Sequence, residues 1–246
     1  MDTPPDRSKY SRTPHLPWSP GFTSDDVRSS SASQFEGREV VVTEKLDGEC
    51  TKVYSDGYTH ARSIDSKMHP SRAHMRALAA RVGHEGMPRQ LSLAGENMMA
   101  LHSLWYDRLP AYFMVFGAYM GDECLSWDDT LDWCAMLDLT PVPVLYRGPW
   151  DEARVRGCMP LQGGAGASTC ASDPLTARKR WDALGHRADR FAVGQEGYVV
   201  RVASAFPTVA FGESVSKFVR KNHVTTSDHW ASETVIPNLL APRDSG

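Results

Sequence analysis

The feature that most constrains the fold is an apolar run that leads directly into a charged cluster. Residues 40–43 read Val-Val-Val-Thr, which is typical of a buried β-strand, and Glu44, Lys45 and Asp47 follow at once. Because side chains alternate along a strand, we expect Lys45 and Asp47 on the same side, with Gly48 turning the chain. A lysine that loses its proton near neutral pH becomes a nucleophile, and a nearby carboxylate can orient it or hold a metal ion. Taken alone, these residues also fit a solvated strand end.

Composition places the chain among ordinary soluble globular proteins, with 41% hydrophobic and 23% charged residues over a length of 246. The net charge of −3 argues against non-specific binding to nucleic acid but allows a local basic groove. The longest apolar stretch, residues 111–120, is too short to span a bilayer, and the N-terminus has no secretory signal pattern. We therefore expect a cytoplasmic protein without membrane contact, and nothing indicates an obligate protein partner.

The chain divides into three parts by composition. Residues 1–38 are rich in Pro, Ser and Asp without periodicity, which predicts a largely irregular N-terminal arm. Regular patterns occupy residues 39–230, and residues 231–246 form a C-terminal tail. We expect one α+β domain of antiparallel sheets flanked by helices. Its strands are predicted at residues 40–43, 51–54, 58–61, 112–119, 142–146, 197–202 and 215–219, and its helices from Pro70 and at residues 127–137 and 174–184.

Six segments stand in the order of the motifs that define the covalent nucleotidyltransferase superfamily. Lys45-Leu46-Asp47-Gly48 resembles motif I of that superfamily, which comprises ATP- and NAD-dependent ligases and mRNA capping enzymes. The segments that resemble motifs Ia, III, IIIa, IV and V are residues 60–63, 95–97, 112–116, 196–201 and 217–220. The resemblance implies a nucleotidyltransferase domain, the ATP-grasp-like adenylation domain of ligases.

Within that superfamily the chain is most similar to RNA ligases. Gly95-Glu96-Asn97, followed by His102-Ser103 and Tyr106, resembles a stretch of the RNA ligase family. The resemblance covers roughly residues 39–224 and extends to the leader of some bacterial members. Only about 25 residues follow Lys221, which indicates a short member without a C-terminal OB domain.

The resemblance implies a role for each matched residue. Lys45 would attack the α-phosphate of ATP, Phe116 would stack on the adenine, and Glu96 would accept hydrogen bonds from the ribose or hold a metal-bound water. The implied catalytic residues are Lys45, Lys217 and Arg62. The implied ATP-binding residues are Glu44, Lys45, Arg62, Glu96, Phe116, Glu196, Lys217 and Arg220. The implied ligands for Mg²⁺, or alternatively Mn²⁺, are Asp47, Glu96 and Glu196.

The sequence departs from the family pattern in motifs V and IIIa. Val219 stands where many relatives have a second lysine, and Arg220 or Lys221 could replace that lysine. Gly117 stands where relatives often have an aspartate. The contact to pyrophosphate is therefore the least determined part of the implied site.

The resemblance implies an ATP-dependent RNA ligase that serves RNA repair. Such an enzyme forms a lysyl-AMP, transfers AMP to an RNA 5′-phosphate, and joins that end to a 3′-hydroxyl. The alternatives are a DNA nick-sealing or capping-type nucleotidyltransferase, and a non-catalytic nucleotide- or RNA-binding module.

RNA would need a local basic surface on this acidic chain. Arg178, Lys179 and Arg180 lie on a predicted helix, and the helical spacing indicates that Trp181 and Leu184 face the core. We expect the three cations to be exposed and to act together with the basic residues 217–221, although a solvated helix face fits them equally well.

Overall fold

Two β-sheets dominate the computed structural model, which describes residues 5–22, 24, 26–66, 69–159, 167–221 and 235–242. In chain order the strands are β1 (Glu39–Lys45), β2 (Glu49–Tyr54), β3 (Thr59–Ala61), β4 (Leu91–Asn97), β5 (Phe113–Met120), β6 (Glu123–Cys124), β7 (Thr140–Pro141), β8 (Val144–Pro149), β9 (Gly197–Val202), β10 (Phe206–Pro207) and β11 (Val215–Val219). The helices are α1 (Ala73–His84), α2 (Trp127–Met136), α3 (Glu152–Gly157), α4 (Pro174–Ala183) and α5 (Phe211–Ser214).

The sheets are antiparallel apart from one short pairing. One sheet has the order β11-β9-β1-β8, and the other runs β10-β6-β5-β4-β2-β3 with β7 pairing parallel to β5. One buried cluster combines Val40 and Val42 of β1 with Ala94 of β4 and Tyr119 of β5, so the two sheets pack against each other. The predicted α+β class with antiparallel sheets is confirmed.

Local sequence patterns predicted the positions of most helices and strands correctly. The hairpin of β2 and β3, the strands β9 and β11, and the helices α2 and α4 lie where the sequence predicts them. A 3-10 turn at Pro70–Arg72 leads into α1, whose Met75, Ala79 and Val82 are fully buried. A spacing of three or four residues places these side chains on one face of the helix. This face packs against Leu91 and the other members of a second buried cluster.

The strand predicted at residues 142–146 is confirmed only in part, because its position is shifted and it does not belong to the core. It is β8, at Val144–Pro149, and its residues are exposed or half-buried. The physical reason is its position at the edge of the sheet, where it pairs only with β1. Val142, which precedes the strand, is the buried residue of the predicted segment.

The N-terminal arm is docked on the domain although it contains little regular structure. Within its described residues the only helical element is a 3-10 turn at Ser33–Phe35. His15, Leu16 and Ser19 are nonetheless buried, and the Trp18 indole donates a hydrogen bond to the Tyr198 hydroxyl at 2.9 Å. The described part of the chain contains no helix long and apolar enough to cross a membrane.

The C-terminal residues 235–242 pack back onto the domain. The predicted boundary at residue 230 lies outside the described residues. Asn238 is completely buried, and its Oδ1 accepts a hydrogen bond from the Tyr106 backbone at 2.9 Å. Its Nδ2 donates to the carbonyls of Met98 and Ala100 at 2.9 and 3.2 Å. This side chain therefore fixes the loop between β4 and β5.

Replacement of Asn238 by alanine is expected to destabilise the fold. The change leaves the buried Tyr106 amide and two carbonyls without partners, so we expect the free energy of unfolding to fall by about 2–4 kcal/mol. Urea denaturation of the purified protein measures the change. Leu240→Ala, which shortens a 44% exposed side chain in the same segment, is the control. A loss no larger than the control's would contradict this account of the segment.

Candidate active site at the ends of three strands

Strand pairing brings Lys45, Glu196 and Lys217 to one end of the smaller sheet. Strand β9 lies between β1 and β11 and is antiparallel to both. Lys45 is opposite Gly197, the residue that follows Glu196, and Lys217 is opposite Val199. Residues that are distant in sequence therefore meet because they share the central strand.

Lys45 forms a close ion pair with Glu196. Its Nζ lies 2.6 Å from Glu196 Oε2, and the glutamate side chain is only 5% exposed. Burial lowers the pKa of Lys45, but Glu196, Glu96 and Asp47 outweigh it and hold the pKa above its ordinary value. The interpretation of Lys45 as a nucleophile requires an amine that has lost its proton. Without a ligand, the geometry instead favours the ammonium form.

Asp47 is turned toward the loop that follows β4. Strand β1 ends at Lys45, so strand alternation does not determine where Asp47 points. Its Oδ2 accepts hydrogen bonds from the backbone amides of Ser103 and Leu104 at 2.7 and 2.8 Å. Its own amide donates to the Tyr106 hydroxyl at 3.0 Å. These contacts fix the loop after Lys45, and the metal-binding role of Asp47 stays a prediction.

Gly48 lets this loop pass close beneath the end of β4. A Cβ atom at this position would lie 2.6 Å from the Asn97 carbonyl oxygen and 2.7 Å from Met98 Sδ. The Gly48 amide donates to Glu96 Oε1 at 3.2 Å. The glycine is therefore required by the close approach that brings the loop to Glu96.

Among the acidic side chains of the site, Glu96 has the most strongly shifted pKa. Burial raises its pKa, Lys45 lowers it, and Glu196 and Asp47 raise it again, to about 8 overall. The three carboxyl groups together therefore provide more negative charge than Lys45 alone neutralises. Such an environment attracts a divalent cation.

The part of the chain that the structure describes contains no set of side chains that would hold a metal ion alone. Among the described residues, no three His, Cys, Asp or Glu side chains converge in this way. Mg²⁺ commonly keeps several waters and binds through one or two carboxylates plus substrate phosphates. Glu96 and Glu196 fit such a site, and phosphate oxygens and water would complete it.

A cavity of about 430 Å³ opens beside the two lysines, within the range of small-molecule sites. Strands of both sheets, α5 and the N-terminal arm contribute to its walls. Its lining residues include Tyr10, Arg12, Thr13, Asp26, Glu44, Lys45, Gly48, Cys50, Arg62, Glu96, Phe116, Val199, Arg201, Phe211 and Lys217.

Glu44, Phe116 and Arg62, which were predicted to bind ATP, all line this cavity. Glu44 Oε2 accepts hydrogen bonds from the Thr169 amide and hydroxyl at 3.0 and 2.7 Å, while its buried Oε1 has no hydrogen-bond partner among the described residues. Phe116 is half-buried and contacts the Tyr10 ring edge to face at 5.1 Å. Arg62 is exposed at the cavity wall.

Arg220 lies behind the site and is not among the residues that line the cavity. Its Nε donates to the Gln195 carbonyl at 2.9 Å, and its amide donates to the Glu196 carbonyl at 3.0 Å. The predicted contact between Arg220 and ATP therefore stays a prediction. These bonds place Arg220 in support of the backbone beside Glu196.

The predicted basic surface on α4 is only partly exposed. Arg178 pairs with Asp182 at 2.9 Å, and Arg180 pairs with the buried Asp107 at 2.8 Å, whereas Lys179 is exposed. Trp181 is buried as predicted. The prediction for Leu184 was wrong: this side chain is 49% exposed because it caps the helix beyond its last turn.

Sequence reasoning missed the contribution of the N-terminal arm. Tyr10, Arg12, Thr13 and Asp26 all line the cavity, although the arm was predicted only as an irregular leader. Its contacts join residues far apart in sequence, up to the 200 positions between Ser19 and Val219, so no local pattern reveals them. The resemblance of the arm to the leader of bacterial relatives was the one available signal.

The sequence profile of the RNA ligase family matches residues 38–219, which is most of the chain, so the chain belongs to the RNA ligase family. This confirms the resemblance found in the motifs. Comparison with curated protein sequences gives no match.

Solved structures of RNA ligases share the fold. Two mutants of a Naegleria gruberi RNA ligase, one apo and one with AMP and Mn, each align with a TM-score of 0.50 at 17% and 16% identity. Each alignment covers 87% of this chain and 56% of the neighbour. An archaeal ATP-dependent RNA ligase aligns with a TM-score of 0.48 at 14% identity over 86% of this chain and 48% of its own. The chain thus spans about half the length of these neighbours.

The raised pKa of Glu96 predicts a stability that falls as pH rises. Between the ordinary value of 4.5 and about 8, the folded state keeps a proton that the unfolded state releases. Glu96→Gln removes this loss. At pH 8.5 we expect its melting temperature to exceed that of the unmodified protein by at least about 2 °C, roughly the effect of 1 kcal/mol in a chain of this size.

Thermal melts at pH 5 and pH 8.5 test this linkage, and the advantage of the variant should shrink at pH 5. Glu85→Gln, at a 38% exposed side chain, makes the same chemical change on the surface and is the control. An advantage that is equal at both pH values would refute the raised pKa.

Proposed function

We propose that this protein is an ATP-dependent RNA ligase that carries AMP on Lys45. The observation that supports it most strongly is the placement of Lys45 and Lys217 on strands either side of β9, with Glu196 at 2.6 Å from Lys45, at the wall of a nucleotide-sized cavity. A binding module needs cations for phosphate, but it has no need of a lysine at a strand end held by a buried acid.

In the first step, the Lys45 amine attacks the α-phosphorus of ATP. A P–N bond forms, the P–O bond to the β-phosphate breaks, and pyrophosphate leaves. Before the attack, the Lys45 ammonium releases one proton, and Glu196 Oε2 at 2.6 Å is placed to accept it. As the P–N bond forms, the nitrogen loses a second proton to solvent. Lys217, at the same cavity wall, offers a positive charge to the α-phosphate as negative charge develops there.

The remaining ATP contacts follow from the cavity wall. Phe116 offers a ring face for the adenine, with Val199 also on the lining. The unpaired Oε1 of Glu44 offers a buried acceptor for an amino group, and Arg62 offers a cation for a phosphate or ribose. Each of these side chains lines the cavity and matches one chemical feature of ATP.

Glu96 and Glu196 are the residues that would hold a divalent cation, with Asp47 nearby. When bound, the cation offsets negative charge on the α-phosphate and lowers the pKa of Lys45, which favours the neutral amine. The Naegleria gruberi RNA ligase structure with AMP and Mn supports a divalent cation in this fold. We propose Mg²⁺, with Mn²⁺ as a substitute.

Two further steps would complete the reaction. The 5′-phosphate oxygen of an RNA attacks the AMP phosphorus, the P–N bond breaks, and Lys45 regains a proton. A 3′-hydroxyl then attacks the activated 5′-phosphate, forms the phosphodiester and releases AMP. Membership of the RNA ligase family supports RNA as the substrate.

Lys45→Ala is expected to abolish the covalent adduct. After incubation with ATP and Mg²⁺, intact-mass spectrometry of the unmodified protein should show addition of one AMP. The adduct should be labile to acid and stable to base, because a phosphoramidate joins phosphorus to an amine. Lys179→Ala, which removes an exposed lysine of α4, is the control and should form the adduct normally. An unchanged mass of the folded, unmodified protein would refute the proposed function.

Glu196→Ala and Lys217→Ala should each slow adduct formation by at least about a hundredfold, the loss typical of one preorganised electrostatic partner. Rapid-quench measurement of the adduct at saturating ATP gives the rate constants. Arg220→Ala and Lys221→Ala, compared in the same assay, show which side chain replaces the second lysine of motif V. A near-normal rate for Glu196→Ala or Lys217→Ala would remove that residue from the proposed mechanism.

A further inference from the structure

A segment of the N-terminal arm extends the smaller sheet beside β11. The Lys217 amide donates to the Pro14 carbonyl, and the Lys217 carbonyl accepts from the Leu16 amide, both at 2.8 Å. His15 forms an isolated parallel bridge with Lys217. The arm therefore holds both backbone polar groups of Lys217.

The same segment stays against β11 as far as its end. The Val219 amide donates to Ser19 Oγ at 2.9 Å, and the Gly21 amide donates to the Val219 carbonyl at 2.9 Å. A Cβ atom at Gly21 would lie 2.4 Å from the Arg220 carbonyl oxygen, so the close approach requires glycine. The path of the arm is thus fixed on both sides of Lys217.

The arm then brings a carboxylate back to the Lys217 side chain. Asp26 Oδ1 lies 3.3 Å from Lys217 Nζ and 3.4 Å from His15 Nε2. His15 is 1% exposed, and its Nδ1 lies 2.8 Å from Ser19 Oγ. Burial and the charge of Lys217 lower the pKa of His15 to about 4, so the imidazole is neutral at physiological pH. Asp26 is therefore the arm's negative charge beside Lys217.

Burial and the charged groups around Lys217 act on its ammonium group in opposite directions. Burial and the charge of Lys45 lower the pKa of Lys217, while Asp26 and the more distant Glu196 raise it. Asp26 and Lys217 both line the cavity in which the phosphates of ATP would lie. Because the Asp26 side chain is 30% exposed, an ion pair of this kind adds little to folding stability.

We propose that Asp26 is a positioning residue for Lys217, and that the N-terminal arm is thereby a working part of the active site. This inference rests on the proposed function. Asp26 holds the Lys217 ammonium at the cavity wall until the α-phosphate of ATP pairs with that ammonium. The neutral His15, fixed by Ser19, restricts where the Asp26 carboxylate can lie.

Asp26→Asn tests the inference by removing the charge while keeping the shape of the side chain. We expect the rate constant of adduct formation at saturating ATP to fall about tenfold, less than the roughly hundredfold loss that a 1 Å misplacement of a reacting group can cause. The ATP concentration for half-maximal rate should change much less. Asp26→Glu should restore most of the rate. Asp6→Asn removes the same charge from an exposed position of the arm and should behave like the unmodified protein.

A double-mutant cycle separates positioning from a general structural effect. A residue that acts only through Lys217 has nothing left to position once that lysine is gone, so Asp26→Asn should cause no further loss in a Lys217→Ala background. An equal tenfold loss in that background would overturn the inference. Failure of Asp26→Asn to fold would also overturn it, since Asp26 would then serve the fold.

The outcomes distinguish this inference from the function on which it rests. If the unmodified protein forms no AMP adduct, the proposed function fails. If the unmodified protein forms the adduct and Asp26→Asn matches its rate, only the role of Asp26 fails.

Discussion

The ion pair between Lys45 and Glu196 is the contact on which the rest of the site depends. It exists because β9 lies between β1 and β11, which places an acid from the start of one strand at 2.6 Å from a lysine at the end of another. The pair also determines the protonation state of Lys45. Glu196 keeps Lys45 charged in the absence of a ligand. In the proposed mechanism, a bound divalent cation therefore has to lower the pKa of Lys45 before the amine can attack.

Each of the two lysines is held by a segment outside the sheets. The loop after Lys45 is fixed by Tyr106, and the backbone of Tyr106 is fixed in turn by the buried Asn238 of the C-terminal segment. Lys217 is held through its backbone by the N-terminal arm and through its side chain by Asp26. The N-terminal arm and residues 235–242 thus each support the surroundings of one of the two lysines.

Local sequence patterns predicted the elements that carry the chemistry. The apolar run before Lys45 predicted β1, local patterns predicted the strand that follows Glu196 and the strand that contains Lys217, and the ordered motifs indicated the family. The errors concern features that depend on distant neighbours. The strand near residues 142–146 lies at the edge of its sheet, and Leu184 is exposed at the C-terminal cap of α4. The contacts of Asp26 and Asn238 join segments far apart in sequence, and no periodicity encodes them.

The most direct test of the central claim follows the fate of AMP on Lys45. Protein carrying radiolabelled AMP is separated from ATP and mixed with RNA that bears a 5′-phosphate, with 5′-hydroxyl RNA and all-DNA nicks in parallel. The account predicts that the label moves from protein to the phosphorylated RNA end and is then released as AMP when a 3′-hydroxyl end is sealed. Label that stays on the protein with every nucleic acid, or that moves equally well to DNA, would contradict it.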